Sequence, residues 1–244
     1  MSNIIVIGNG TIGGAIASQL EKIHELTCLD SKTKDYSILV DSTVIIIAVK
    51  PQQFTALANQ IKHYTKNKVV ISVMAGVSIS KISNQLGSKR IIRTMPNIGI
   101  CAGQSLTAAL ASSSTTLEDK RLITDIMNHW GKTIWLKQES QFDSFTAIAG
   151  SGPAYFFELA NQLEQNALRN GFSMGEARAI ANQTLRASSM QLSNTESAKA
   201  KVSIIASKGG TTEKAIESLK RDNFSKIITN AVEAAAERSK ELSL

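Results

Sequence analysis

Near the end of the chain, Ala206-Ser207-Lys208-Gly209-Gly210-Thr211-Thr212-Glu213-Lys214-Ala215 sets two adjacent glycines and three hydroxyls between apolar helical patterns. Glycine lets backbone N–H groups crowd a ligand, and a hydroxyl both donates and accepts. A helix beginning near Thr212 would aim its positive end into this loop. The stretch is either a pocket for a small anion such as a carboxylate or an ordinary glycine-rich turn between helices. A second anion site stands at the other end of the chain. Gly8-Asn9-Gly10-Thr11-Ile12-Gly13 follows an apolar run, Asn3 to Ile7, and opens a helical pattern. In that context Gly8 allows a tight turn, Gly10 lets the backbone approach a pyrophosphate, and Gly13 lets helix and strand pack closely. Two anion sites in one chain point to a nucleotide cofactor and a small acidic substrate.

Asp30 lies 22 residues after Gly8, where an acid grips the ribose 2′-hydroxyl of NAD. Ser31, Lys32 and Lys34 follow at once and suit the 2′-phosphate of NADP, with Asp30 turned aside. NADP(H) and NAD(H) therefore both stay open. Ala48-Val49-Lys50-Pro51 sits just past the third strand pattern, on the edge where open α/β sheets bind ligands. Lys50 there either faces the cofactor or is a solvated lysine at a helix start. Ala75 and Gly76, past the fourth strand pattern, leave room for a flat ring. His24, His63 and His129 lie beside no motif and read as surface or packing residues. No residue cluster has metal-ligand spacing, so no metal site is expected.

The elements that would carry these residues follow from hydrophobic period. Strands are expected at Asn3 to Ile7, Glu25 to Asp30, Thr43 to Val49, Lys68 to Met74 and Arg90 to Met95. Helical patterns separate most of them: Ile12 to Ile23, Pro51 to about His63, and Ile79 to Leu86. Pro51 suits a first helical turn. This alternation marks an α/β fold with a doubly wound sheet. A polar loop, a segment Gln104 to Ala111, a helix near Leu117 to Trp130 and a strand near Thr133 to Leu136 come next. From Phe142 an alanine-rich helical period runs almost to Leu244, broken at Gly150-Ser151-Gly152-Pro153, Asn170-Gly171 and Gly209-Gly210. The reading divides the chain into residues 1–138, which bind the dinucleotide, and an all-α part at 139–244. Tyr155, Phe156 and Phe157 read as core.

With 244 residues, 43% of them hydrophobic and 19% charged, the chain is long enough for one large domain or two modest ones. The net charge of +7 and pI near 9.4 are carried by scattered basic residues, without long Lys/Arg runs or interleaved aromatics. That balance attracts small anions and argues against nucleic acid as a partner. The longest apolar run, Val44 to Val49, is far too short for a membrane span, and no signal peptide is evident. Cys28 and Cys101 have no metal-type spacing, read as buried free thiols, and fit a reducing cytoplasm.

These pieces together resemble the pyrroline-5-carboxylate reductase family. The resemblance runs in order through Gly8 to Gly13, Ala48-Val49-Lys50-Pro51, Ala75-Gly76-Val77-Ser78-Ile79 and Arg93-Thr94-Met95-Pro96-Asn97. It continues through Thr146 to Tyr155 and ends at Ser207-Lys208-Gly209-Gly210-Thr211-Thr212 with Ala215. The resemblance implies a Rossmann-type domain followed by a helical dimerisation domain, in a homodimer or larger homo-oligomer. It implies NAD(P)H-dependent reduction of the cyclic imine 1-pyrroline-5-carboxylate to L-proline, the last step of proline biosynthesis. By motif match, Ser207, Gly209, Gly210, Thr211 and Thr212 hold the substrate, and Thr212 hydrogen-bonds the ring nitrogen as the catalytic hydroxyl. Asp35 falls where the family places an asparagine near the adenosine. Lys208 stands where the family usually has proline, and Ser197-Ala198-Lys199 replaces a His-Pro-Gly block. A β-hydroxyacid dehydrogenase would need a lysine where Phe156 stands. The alternative of another class is a divergent or non-catalytic NAD(P)-binding protein, acting on another imine or as a redox sensor.

Overall fold

Branched apolar side chains fill both faces of a covered sheet, and the Ile/Val runs of this chain form its strands. The computed structural model describes residues 2–192 and 195–242. Its strands are β1 (Asn3–Ile7), β2 (Glu25–Leu29), β3 (Val44–Ile47), β4 (Val69–Ser72), β5 (Ile91–Met95), β6 (Ser105–Ala111) and β7 (Gly131–Trp135). They form a sheet in the order β2-β1-β3-β4-β5-β6-β7. All neighbours are parallel except β5 and β6. The helices between them are α1 (Thr11–Leu20), α2 (Phe54–Thr65), α3 (Ile79–Leu86) and α4 (Leu117–Asn128). The doubly wound expectation is met, with a single strand, β2, beyond β1 on that side of the sheet.

Alternate residues of each strand serve the two faces. Ile5, Ile7, Ile45, Ile47 and Ile91 pack with Phe54, Leu57, Ile61 and Ile82 on one side. Ile4, Val6, Ile46, Ile71 and Ile92 pack with Ile16, Leu20, Ile123, Met127 and Trp130 on the other. Each such buried side chain stabilises the fold by roughly 1.5–3 kcal/mol relative to exposure. Local signals set the ends of elements. Gly87, with φ +67°, terminates α3, and a capping box of Thr116 and Asp119 starts α4. Arg90 donates to both oxygens of Asp119, fastening this cap to the start of β5.

After β7 come α5 (Gln141–Phe145), a π-turn at Thr146–Gly150, α6 (Gly152–Arg169), α7 (Met174–Met190), α8 (Ala198–Ile205), α9 (Thr211–Arg221) and α10 (Phe224–Leu242). Pro153 lies in the first turn of α6, as its fixed φ allows. Two compact units result: residues up to Gly150 together with those from Ala235 onward, and Ser151–Ala234. The second unit is helical. Its buried residues are small, namely Gly152, Ala167, Ala177 and Ala181, and α8, α9 and α10 bury none among the described residues.

Three expectations are corrected. Phe156 and Phe157 are 56% and 62% exposed rather than core, because none of the described residues covers that face of α6. Cys101 is exposed and Cys28 only half-buried. The expected polar loop contains a 3-10 turn at Ile98–Ala102, which buries Ile100 and turns Cys101 outward. His24 packs edge-on against His129, their ring centres 5.8 Å apart, as expected for packing histidines.

Candidate active site

The glycine run at the end of β1 is built for close approach. Gly8 has φ +112°, and a Cβ there would lie 2.5 Å from the Ala48 carbonyl oxygen. A Cβ on Gly13 would lie 1.9 Å from the Gly8 oxygen and 3.0 Å from Ala48 Cβ, so α1 can meet β1 and β3 only as glycine. Gly10 differs: a Cβ on it would meet nothing within 4 Å. The protein itself gives no packing reason for the missing side chain. A ligand backbone lying against Gly10 does, and a pyrophosphate fits the chemistry. Gly10 is also the N-cap of α1, with no side-chain cap and no acid in the first turn, which leaves the helix's positive end for an anion.

The parallel strands deliver the other residues expected on the cofactor side to the same sheet edge. The Gly8 N–H donates to the Leu29 carbonyl at 2.8 Å, and the Ala48 N–H to the Ile7 carbonyl at 2.8 Å. Asp30 and Ser31 therefore follow β2 beside the glycine turn, and Ala48, Val49, Lys50 and Pro51 follow β3 on its other side. This is the switch point of the sheet, the place where open α/β folds bind their ligands. Asp30 Oδ1 accepts from the Lys32 N–H at 2.9 Å. Lys50 is exposed at the start of the 3-10 turn Pro51–Gln53. Ala75 is exposed in the turn after β4, beside Gly76 with φ +73°. Asp35 lies further on, ahead of a 3-10 turn at Ser37–Asp41, where its carboxylate accepts from the Ser37 N–H at 2.8 Å. That backbone bond, with the Ser37 hydroxyl second, holds the Asp35 carboxyl below the usual carboxylate range.

In the second unit, α9 starts at Thr211, one residue earlier than expected, and Gly210 is its N-cap without a side-chain cap. By contrast α3, α4, α7 and α8 are capped by Ser78, Thr116, Ser173 and Ser197. Both expected anion sites thus begin helices on bare glycine. Gly209 has φ +76°, which favours glycine, and a Cβ on Gly210 would lie 2.7 Å from Ser207 Oγ and 3.0 Å from the Ser207 carbonyl oxygen, so it would crowd the turn. Ser207, Lys208, Gly209 and Thr211 are exposed, and Gly210 and Thr212 half-buried. The Gly209 N–H donates to Glu213 Oε2 at 2.7 Å.

Residues 139–242 match a family model described as pyrroline-5-carboxylate reductase dimerisation. Residues 21–76 match one described as coenzyme F420-dependent NADP oxidoreductase. The pyrroline-5-carboxylate reductase of Vibrio alginolyticus is 32% identical over 206 residues, covering 83% of this chain and 76% of that protein. The chain belongs to the pyrroline-5-carboxylate reductase family. A pyrroline-5-carboxylate reductase from Coxiella burnetii matches 100% of this chain and 99% of its own with a TM-score of 0.92 at 29% identity. The Plasmodium falciparum pyrroline carboxylate reductase, solved with NADP bound, matches 100% and 98% with a TM-score of 0.86 at 26% identity.

In this member of the pyrroline-5-carboxylate reductase family, two residues quoted only as parts of a motif hold the site's scaffold. Arg93, buried in the middle of β5, donates to Glu139 Oε1 at 2.8 Å and lies 4.2 Å from the Phe142 ring centre. Glu139 Oε1 also accepts from the Ile79 N–H at 2.8 Å. This carboxylate therefore ties the start of α3, just after the Ala75 turn, to β5. Asn97 Nδ2 donates to the Ala149 carbonyl at 2.9 Å, pinning the π-turn. An arginine in the middle of the strand Ile91-Ile92-Arg93-Thr94-Met95 was the available signal, since a buried charge requires a partner.

Proposed function

We propose that this chain reduces 1-pyrroline-5-carboxylate to L-proline with NADPH or NADH, as a cytoplasmic homodimer or larger homo-oligomer. Family membership supports the reaction class. The observation that carries the reading on this chain's own residues is the pair of glycine-capped helix starts, Gly10 on α1 and Gly210 on α9. One suits a dinucleotide pyrophosphate and the other a small carboxylate.

In this reading the amides and side chains of Gly8, Asn9, Gly10, Thr11, Ile12 and Gly13 hold the pyrophosphate. Asp30, Ser31 and Asp35 lie toward the adenosine, and Ala48 to Pro51 and Ala75 toward the nicotinamide. When bound, the reduced nicotinamide supplies the hydride for the imine carbon. Ser207, Gly209, Gly210 and Thr211 grip the substrate carboxylate, and the Thr212 hydroxyl hydrogen-bonds the ring nitrogen. As hydride adds to the imine carbon, the C=N π pair becomes a lone pair on nitrogen; an imine bound in its protonated form already carries the N–H, and a neutral one takes up one proton there. Because a cyclic imine is basic, solvent provides that proton and no strong side-chain acid is needed. The protein's part is alignment. Residues 1–138 serve the cofactor, and residues 139–244 the substrate and the dimer.

Among its described residues the helical unit buries no large side chain, which supports a second copy as its cover. No helix is long and apolar enough to cross a membrane among the described residues. The two free thiols fit a reducing compartment. Oxidation of NADPH and of NADH, followed separately with pyrroline-5-carboxylate and with its 2-carboxylate isomer, tests the reading. Turnover of the 5-carboxylate is expected. Oxidation only with the 2-carboxylate, or with neither, contradicts it.

A further inference from the structure

We propose that Glu213 sets the affinity for the substrate carboxylate by competing with it for the loop amides. The proposal rests on the substrate reading above and assigns a residue outside that reading's binding set. Glu213 is the third residue of α9, and its Oε2 accepts from the Gly209 N–H at 2.7 Å. A carboxylate of the chain itself is thus already seated on a donor that the bound ring would use. One N–H serves one carboxylate well, and a second carboxylate beside the first is repelled.

This acid does not behave like the other first-turn acids. In α4 and α7, Asp119 and Glu176 occupy the same third position and accept from the N–H of the capping residue, Thr116 or Ser173. In each case the capping hydroxyl accepts in return, so the acid closes a box. In α9 the capping residue is glycine, which has no hydroxyl, and the acid reaches one residue further back, into the loop. Nor is its charge matched by a cation: Lys214 is paired with Glu217 at 2.8 Å, and Glu213 forms no ion pair among the described residues. The first carboxylate to meet the cradle is therefore displaceable. A substrate carboxylate takes its place by turning the Glu213 side chain outward, and this exchange weakens ground-state binding.

Steady-state kinetics of Glu213→Ala and Glu213→Gln in the full chain test this, with pyrroline-5-carboxylate and with 1-pyrroline, which lacks the carboxylate. Glu213→Ala is expected to lower KM for pyrroline-5-carboxylate by about fivefold, the scale of one exposed charge contact. Its kcat changes less than its KM, and KM for 1-pyrroline does not move. Glu213→Gln keeps an acceptor for the Gly209 N–H without the charge, and its KM falls between. A KM at or above the wild-type value, or an equal fall for both imines, overturns the proposal. If Glu213→Ala melts early, Glu213→Gln decides by the same criteria. A wild-type chain that turns over neither imine overturns the substrate reading itself. A wild-type chain that turns over pyrroline-5-carboxylate, with variants of unchanged KM, overturns this proposal alone.

Discussion

Gly10 and Thr212 carry the sharpest consequences for single side chains. A Cβ on Gly10 meets no protein atom within 4 Å, so a small side chain there is expected to be accepted by the fold and to collide with a bound pyrophosphate. Gly10→Val is expected to leave the unfolding midpoint nearly unchanged and to weaken NAD(P)H binding by at least about 100-fold, read by titration of cofactor fluorescence. Binding within a few-fold of wild type would remove the pyrophosphate from Gly10. Thr212→Ala is expected to lower kcat by about 10- to 100-fold, the scale of one hydrogen bond that strengthens as charge develops. Cofactor affinity is expected to stay near normal, because Thr212 is proposed for the substrate site. Equal turnover would take Thr212 out of the mechanism.

The cap of α4 is the element whose energetics are easiest to isolate. Asp119 is buried, and the Arg90 hydrogen bond first, then the Thr116 N–H, hold its carboxyl below the ordinary carboxylate range. A carboxyl depressed in the fold contributes its stability fully above the unfolded value, about pH 4, and loses it as pH falls through the folded value. Asp119→Ala should therefore cost about 2–4 kcal/mol near neutrality, from the broken pair and cap together. The variant's deficit should shrink below about pH 4; denaturant midpoints across pH decide, and a deficit independent of pH would deny the linkage. The strands of this element layer were legible because their side chains alternate between two covered faces, as in Ile4 to Ile7 and Val44 to Ile47. The turn at Ile98–Ala102 was not, since Asn97-Ile98-Gly99-Ile100-Cys101-Ala102-Gly103 carries no period and its shape follows from the Asn97 bond to the Gly99 N–H. The glycine-capped helix starts were visible as composition. The Glu213 contact was not, because α9 is capped by glycine and lacks the Ser/Thr-x-x-acid spacing that marks such an acid in α4 and α7.

For the molecule as a whole, Phe156 and Phe157 show where sequence period misleads. An apolar helical face reads the same whether its cover comes from this chain or from a second copy. In a unit whose buried residues are glycine and alanine, two exposed phenylalanines on α6 mark the missing cover. Phe157→Glu is expected to shift the wild-type dimer, or larger assembly, toward smaller species in sedimentation velocity. It should leave the sheet's far-UV signal in place. An unchanged assembly would place the interface on another face. The central claim is that this chain converts a cyclic imine carboxylate to a saturated ring at the expense of NAD(P)H. Its most direct test is product stoichiometry: purified wild-type chain is given pyrroline-5-carboxylate and limiting NADPH or NADH, and L-proline is quantified. The account predicts one proline for each reduced nicotinamide consumed; cofactor left unoxidised, or oxidised without proline appearing, would contradict it.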